Sequence, residues 1–248
     1  MKTFNGLESM LKKRDFYHQH IKYSFGWNLK NHNEKLSQIN PNWEEIKKLQ
    51  SFLKKVYQGT IPNDLFNRRE VQRISQFKIR GLKNTFLRSF GKKLVRSGRI
   101  IVSDSSSKLT NFAKNVHITF NNNNLLKVPG HNPILKNILI KDKDSVAIEV
   151  PIWINKSKLS ITGHIDLIQV QDNIIKVIDY KPEGNFLFSL PQVAMYGFLI
   201  KKNLNIKNLR CISFNKNENW EYDPEILITD IKNYLSSHNI PRIWEDFL

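Results

Sequence analysis

Two aspartates set inside apolar runs constrain this chain more than any other feature. In the stretch 163–196, GHIDLIQVQDNIIKVIDYKPEGNFLFSLPQVAMY, Asp166 and Asp179 interrupt segments whose other members include Ile165, Leu167, Ile168, Ile175, Val177 and Ile178. Apolar residues at successive positions imply strands buried on both faces, as in the middle of a mixed sheet. An unpaired charge there is costly, so both carboxylates need partners. Strand alternation puts Asp179 and Lys181 on one face with Tyr180 on the other, and puts His164 and Asp166 together on the preceding strand. A turn around 171–173 lets the two strands pair as a hairpin. Gln192 and Tyr196, four apart in an apolar segment that begins after Ser189 and Pro191, share one side of a helix.

Carboxylates converging with a lysine suit metal-assisted attack of water on a phosphodiester. They hold a hard cation such as Mg2+, which neutralises phosphate charge and lowers the pKa of a bound water. A lysine beside them orients that water or stabilises the charge growing on the phosphate. GHID, thirteen residues from Asp166 to Asp179, then DYK, then QVAMY, together resemble the PD-(D/E)xK nuclease superfamily, in its RecB-type branch. The resemblance covers roughly residues 145–200. It implies an α/β (α+β) fold with a restriction-endonuclease-like αβββαβ core around a mixed central sheet. It also implies Mg2+ or Mn2+ held by Asp166, Asp179 and the backbone carbonyl of Tyr180, with Lys181 positioning the attacking water. Glu149, in VAIEVPIWI, stands where that branch often carries an acid and is expected to complete the ligands. Gln192 and Tyr196 would brace Lys181 or contact the strand being cut. Periodicity separately predicts strands over 146–154, 158–170 and 174–181, a helix over 190–202 and a strand over 208–214.

The charge balance fits a polyanionic partner. There are 39 Lys+Arg against 22 Asp+Glu, a formal +17, which favours nucleic acid before acidic membranes. Between 68 and 99 lie eleven cations and one acid, Glu70. Ile79, Leu82, Phe86, Phe90 and Leu94 supply an apolar stripe there, so a helix with a basic outer face is expected, with Gly81 and Gly91 marking breaks. Arg73, Arg80, Lys83, Arg88, Lys92, Lys93 and Arg96 are the expected phosphate-tracking residues, and His164 would reach a phosphate from the Asp166 face. Phe86 stands where a P-loop ending at Gly91-Lys92 would need glycine, so no motor is recognisable. The single cysteine, Cys211, excludes a disulfide within the chain and a thiolate cluster of the kind some RecB-type nucleases carry. It is expected to be a buried small apolar residue. No apolar stretch approaches the roughly 18 residues of a membrane span and no signal-peptide core is present, so a soluble intracellular protein is expected.

These features divide the chain into a helical, basic accessory region at 1–102 and a nuclease-like core at 103–248. Residues 1–57 read as helical, with the clearest amphipathic pattern in Trp43, Ile46, Leu49, Leu53 and Val56. The cluster Phe16, Tyr17, His18, His20, Tyr23, Phe25 and Trp27 offers either core or a base-stacking surface. The segment 109–120 suits a helix at its start and a strand at its end. RecB-type nucleases often place a histidine upstream of the acidic strands; His117 and His131 both qualify by order, and His117 is the candidate. The expectation is a metal-dependent nuclease acting on DNA, end-directed before internal, in repair, recombination or end processing, with RNA a second polyanion the same surface would accept. The alternative is an inactive or partner-dependent nucleic-acid-binding subunit, for which a helicase is a fitting partner.

Overall fold

The computed structural model describes residues 10–38, 43–104, 106–125, 128–156 and 159–248. The order of elements begins with a hairpin, β1 (Leu11–His18) and β2 (Ile21–Asn28). Helices α1 (Leu29–Ser37), α2 (Trp43–Gln58) and α3 (Asn63–Asn67) follow, then a two-residue strand β3 (Gln72–Arg73). After α4 (Asn84–Arg96) and β4 (Ile100–Ser103) come α5 (Lys108–Asn122) and α6 (His131–Lys141). The long strands β5 (Ser145–Lys156), β6 (Leu159–Gln171) and β7 (Ile174–Tyr180) lead into α7 (Phe186–Leu204), β8 (Leu209–Phe214), β9 (Asn219–Tyr222) and α8 (Asp230–Ser237).

All nine strands of the described residues join one mostly antiparallel sheet, in the order β1-β2-β5-β6-β7-β8-β9-β4, with β3 pairing parallel to β6. The β6–β7 connection is a two-residue turn in which Asp172 and Asn173 both take positive φ, the geometry that matches a hairpin's twist. β7 and β8 run parallel, and α7 is the crossover between them. That helix is apolar nearly all round because it is buried on nearly all sides. It starts at Phe186, ahead of the sequence-based expectation, so Pro191 is its sixth residue and leaves the Leu187 carbonyl without the usual i→i−4 partner. Gly197 permits the close packing of α7 on β8, since a Cβ there would strike the Cys211 sulfur. Cys211 is fully buried, as expected, and burial pushes its thiol up.

Helices cover both faces. Ile46, Leu49, Leu53 and Val56 of α2 share one core with Val193, Leu199 and Ile200 of α7 and Phe90 and Leu94 of α4. Leu109, Ala113 and Val116 of α5 and Ile134, Leu135 and Ile138 of α6 pack on the other side against Ile148, Leu167 and Ile178. The C-terminal tail docks on the body, with Trp244 buried against Phe77.

Three expectations for the N-terminal part need correction. Residues 11–28 form a hairpin rather than helix: Phe16, Phe25 and Trp27 are buried in the core, and their alternation with polar residues is a strand pattern that aromatic density obscured. The helical reading of residues 1–9 lies outside the described residues. The stretch 68–83 holds only the short strand β3 and a 3-10 turn at Ile74–Gln76, with Gly81 at φ +84, and α-helix begins only at Asn84, leaving Phe86 of the expected apolar stripe 46% exposed. The boundary placed at 102/103 falls within β4, and β2, β3 and β4 each pair with strands from beyond it. Among the described residues no helix is long and apolar enough to cross a membrane.

Candidate active site

The site lies where strand alternation breaks. Ile148 packs on one face of the sheet and Val150 on the other; the same switch separates Ile165 from Leu167. Between them sit Glu149 and Asp166, which the β5–β6 register places opposite one another. Glu149 takes φ +51, a left-handed conformation costing a non-glycine residue roughly 1–2 kcal/mol. Carried one pair beyond Leu167↔Ile178, the β6–β7 register brings Asp166 beside Asp179. Here the ladder gives way to a side chain, since the Tyr180 N–H donates to Asp166 Oδ2 at 2.8 Å. Three carboxylates thus stand in a row across β5, β6 and β7, lining a cavity of about 240 Å³.

The cations and braces around this row come from several elements. Lys181 Nζ is 2.5 Å from Asp179 Oδ2 and donates to Gln192 Oε1 at 3.1 Å. Gln192 Nε2 in turn donates to the Tyr196 hydroxyl at 3.3 Å. Gly163 makes room for that tyrosine: a Cβ there would lie 2.6 Å from its ring. Asp179 Oδ2 is buried and makes no hydrogen bond of good geometry; the contact with Lys181 is an ion pair alone. His131 donates from Nε2 to the Tyr180 carbonyl at 3.0 Å, and that nitrogen is 3.7 Å from Asp166 Oδ2.

Electrostatics show how crowded the charge is. Burial, then Asp179, then Glu149 push Asp166 well above the ordinary carboxylate range. Burial and the Asp179 charge lift Glu149 to about 7. Burial works against the Lys181 ammonium, but Asp179 and Asp166 outweigh it and hold its pKa above the usual value. Burial chiefly lowers the pKa of His131, with the Asp179 charge opposing it.

The second wall of the cavity is aromatic and was not foreseen as part of the candidate site. The Tyr23 ring stacks on His164 at 3.6 Å, nearly parallel, and Arg73 donates to the Tyr23 hydroxyl at 3.0 Å and to Gln19 at 3.1 Å. His18 lies 2.9 Å from His164 Nε2 through Nδ1 and 3.3 Å from Asn63 Oδ1 through Nε2. With Asn63 presenting its carbonyl, His18 donates to Asn63 and accepts from His164, which leaves His164 Nδ1 without a proton. Burial holds both imidazoles below their usual pKa. His164 lines the cavity, and its Nε2 contact with His18 ties β6 to the hairpin.

The other sequence-predicted residues divide by place. Arg73 lines the cavity. Arg88, Lys92 and Arg96 line a separate groove along α4, while Arg80, Lys83 and Lys93 are exposed elsewhere. His117 is absent from the cavity lining: it meets the hydroxyl of Tyr180, a side chain packed in the core on the opposite face from Val177 and Tyr196. Of the two upstream histidines, His131 is the one at the site. Tyr23 and Ser75 also line it; the aromatic cluster hinted at the first, and no pattern marked the second.

Among the described residues no three His, Cys, Asp or Glu side chains are grouped so as to hold a metal ion. Mg2+ does not need three: it keeps several waters and takes one or two carboxylates plus substrate oxygens. Asp166 and Asp179 are carboxylates of the type it takes, and Asp179 Oδ2 faces the Lys181 ammonium. The Tyr180 carbonyl, expected as a further ligand, already accepts from His131 and retains one lone pair. No family model matches the chain, and no curated protein matches it.

Proposed function

We propose that this chain is a Mg2+- or Mn2+-dependent nuclease that hydrolyses phosphodiester bonds in DNA, built on the restriction-endonuclease-like core and belonging to the PD-(D/E)xK superfamily. The observation that carries the reading is the row Glu149–Asp166–Asp179 with Lys181 against its end, buried in the middle of a sheet and walled by Arg73. The segment from α6 through β8, a helix, three antiparallel strands, a helix and a parallel strand, supports the fold assignment.

Asp166 and Asp179 would hold the cation, with Glu149 facing it from β5. The metal supplies Lewis acidity and a bound water of lowered pKa. Lys181, held as the ammonium by two aspartates, steers that water or offsets negative charge on the phosphate. Gln192 fixes the lysine and Tyr196 fixes Gln192, which keeps Nζ aimed into the cavity. Arg73, tethered by Gln19 and Tyr23, is placed to draw a phosphate in.

The test is cleavage of end-labelled single-stranded, blunt and branched DNA in Mg2+, Mn2+ or EDTA, comparing wild type with Asp179→Asn and Lys181→Ala. Metal-dependent cutting should fall by at least about 10²-fold in each variant, as when one transition-state contact is removed. The product ladder separates end-directed from internal cutting. Absence of cutting on every substrate by a folded wild-type protein would falsify the enzyme reading and favour a binding subunit.

A further inference from the structure

The largest unused feature near the site is the groove of about 680 Å³ between α4, the start of α7 and β9. Arg88, Lys92 and Arg96 stand four residues apart on the exposed side of α4 and line one wall. None of the three has an ion-pair or hydrogen-bond partner among the described residues, although acids elsewhere on the surface are paired. Trp220 and Phe186, packed edge to face at 5.6 Å, form the opposite wall with Phe188. The acid in the lining, Glu218, is engaged by the Trp220 indole N–H at 3.2 Å. Gly91 brings the helix down onto this wall, because a Cβ there would sit 3.0 Å from Leu187 and 3.9 Å from Trp220. The chain passes from Lys181 to Asn185, at the groove's edge, in four residues, so the two sites are within about 14 Å of each other.

Unpaired cations spaced along one wall and the partly exposed Trp220 ring on the other match a polynucleotide's phosphates and a base face, while Phe186, 3% exposed, backs that ring. A duplex keeps its base faces stacked and hidden, whereas an unpaired strand can lay them on tryptophan. We infer that this groove binds a single-stranded segment of nucleic acid, stacking a base on Trp220 with Arg88, Lys92 and Arg96 on its phosphates, and feeds that strand towards the carboxylate row. The inference deepens the nuclease reading and rests on it for the direction of travel, while binding in the groove is measurable without catalysis.

The experiment uses the full chain in EDTA, with fluorescein-labelled dT20 and a blunt 20-base-pair duplex as probes. Anisotropy across a salt series is read together with tryptophan quenching. Replacing Arg88, Lys92 and Arg96 with Gln together should lower the slope of log K against log salt by about 2, a deficit of about 100-fold in dT20 affinity at 0.1 M salt. The control carries the same loss of charge at the other end of α7, with Lys47, Lys48 and Lys55 changed to Gln. It should keep most of the affinity. Trp220→Leu should abolish most of the quench on dT20, and the duplex should bind more weakly without quenching. A triple variant of normal melting temperature that binds dT20 like wild type, or like the control variant, overturns the groove. So does a quench that survives Trp220→Leu. Because these readouts need no cutting, an inactive protein with an intact quench would fail the nuclease reading alone.

Discussion

Glu149 combines a left-handed backbone with a carboxyl lifted to about 7 by burial and by the Asp179 charge. The folded chain therefore holds a proton that the unfolded chain releases between about pH 4.5 and 7. Stability from this group is complete below the unfolded value and drains away as pH rises through 7, by up to about 3 kcal/mol at 1.36 kcal/mol per unit. In EDTA, Glu149→Gln should melt higher than wild type at pH 8, with the gap closing near pH 4.5 and narrowing at pH 8 when Mg2+ is added. Equal melting temperatures at pH 8 in EDTA would show that the carboxylate is not confronting Asp179. At this scale the sequence pointed to the acids and the lysine, because charge inside an apolar run stands out by its cost, and to Gln192 and Tyr196 by their four-residue spacing on a helix. It was silent on Ser75 and misleading on His117, and it did not show that His18 would meet His164. A histidine's role depends on which neighbour takes its proton, and those neighbours come from segments 146 and 63 residues away.

At the level of elements, the site depends on how closely α7 lies against β6. Gly163 leaves the space that the Tyr196 ring fills, and the hydrogen bonds from there run through Gln192 to Lys181. Gly163→Ala should cost about 1–3 kcal/mol in urea denaturation, the usual penalty of forcing extra volume into a packed core. It should also reduce cleavage more than binding, since the displaced ring shifts the lysine and leaves the groove along α4 untouched. Unchanged turnover in a destabilised Gly163→Ala protein would break the proposed Tyr196–Gln192–Lys181 relay. The elements from β5 to β8 were readable because their aliphatic, β-branched runs are bounded by clear turn signals. The hairpin β1–β2 was not, since eight-residue strands crowded with aromatics imitate a buried helix face, and β3 is too short to leave any period.

The whole molecule is organised by a sheet that ignores the division suggested by composition. Strands from both sides of that division belong to one hydrogen-bonded layer, with β4 closing an edge beside β9 and the hairpin closing the other. Calorimetry should accordingly show one cooperative unfolding transition, with calorimetric and van't Hoff enthalpies equal. Fragments 1–102 and 103–248 should each fail to fold when expressed apart. A separately folded 103–248 fragment would show that the hairpin is an ornament to the core rather than part of it. Position in the sheet also sets a timetable. The ladder partners of Gly26 and Trp27 are Ile148 and Ala147, roughly 120 residues further along the chain. At about 5–20 residues per second of synthesis, the inner edge of the hairpin waits on the order of 6–24 s for its mate. During that interval a nascent chain presents an open, aromatic strand edge to every other nascent chain nearby, so slowing translation between residues 28 and 147 should raise aggregation before it changes any property of the finished protein.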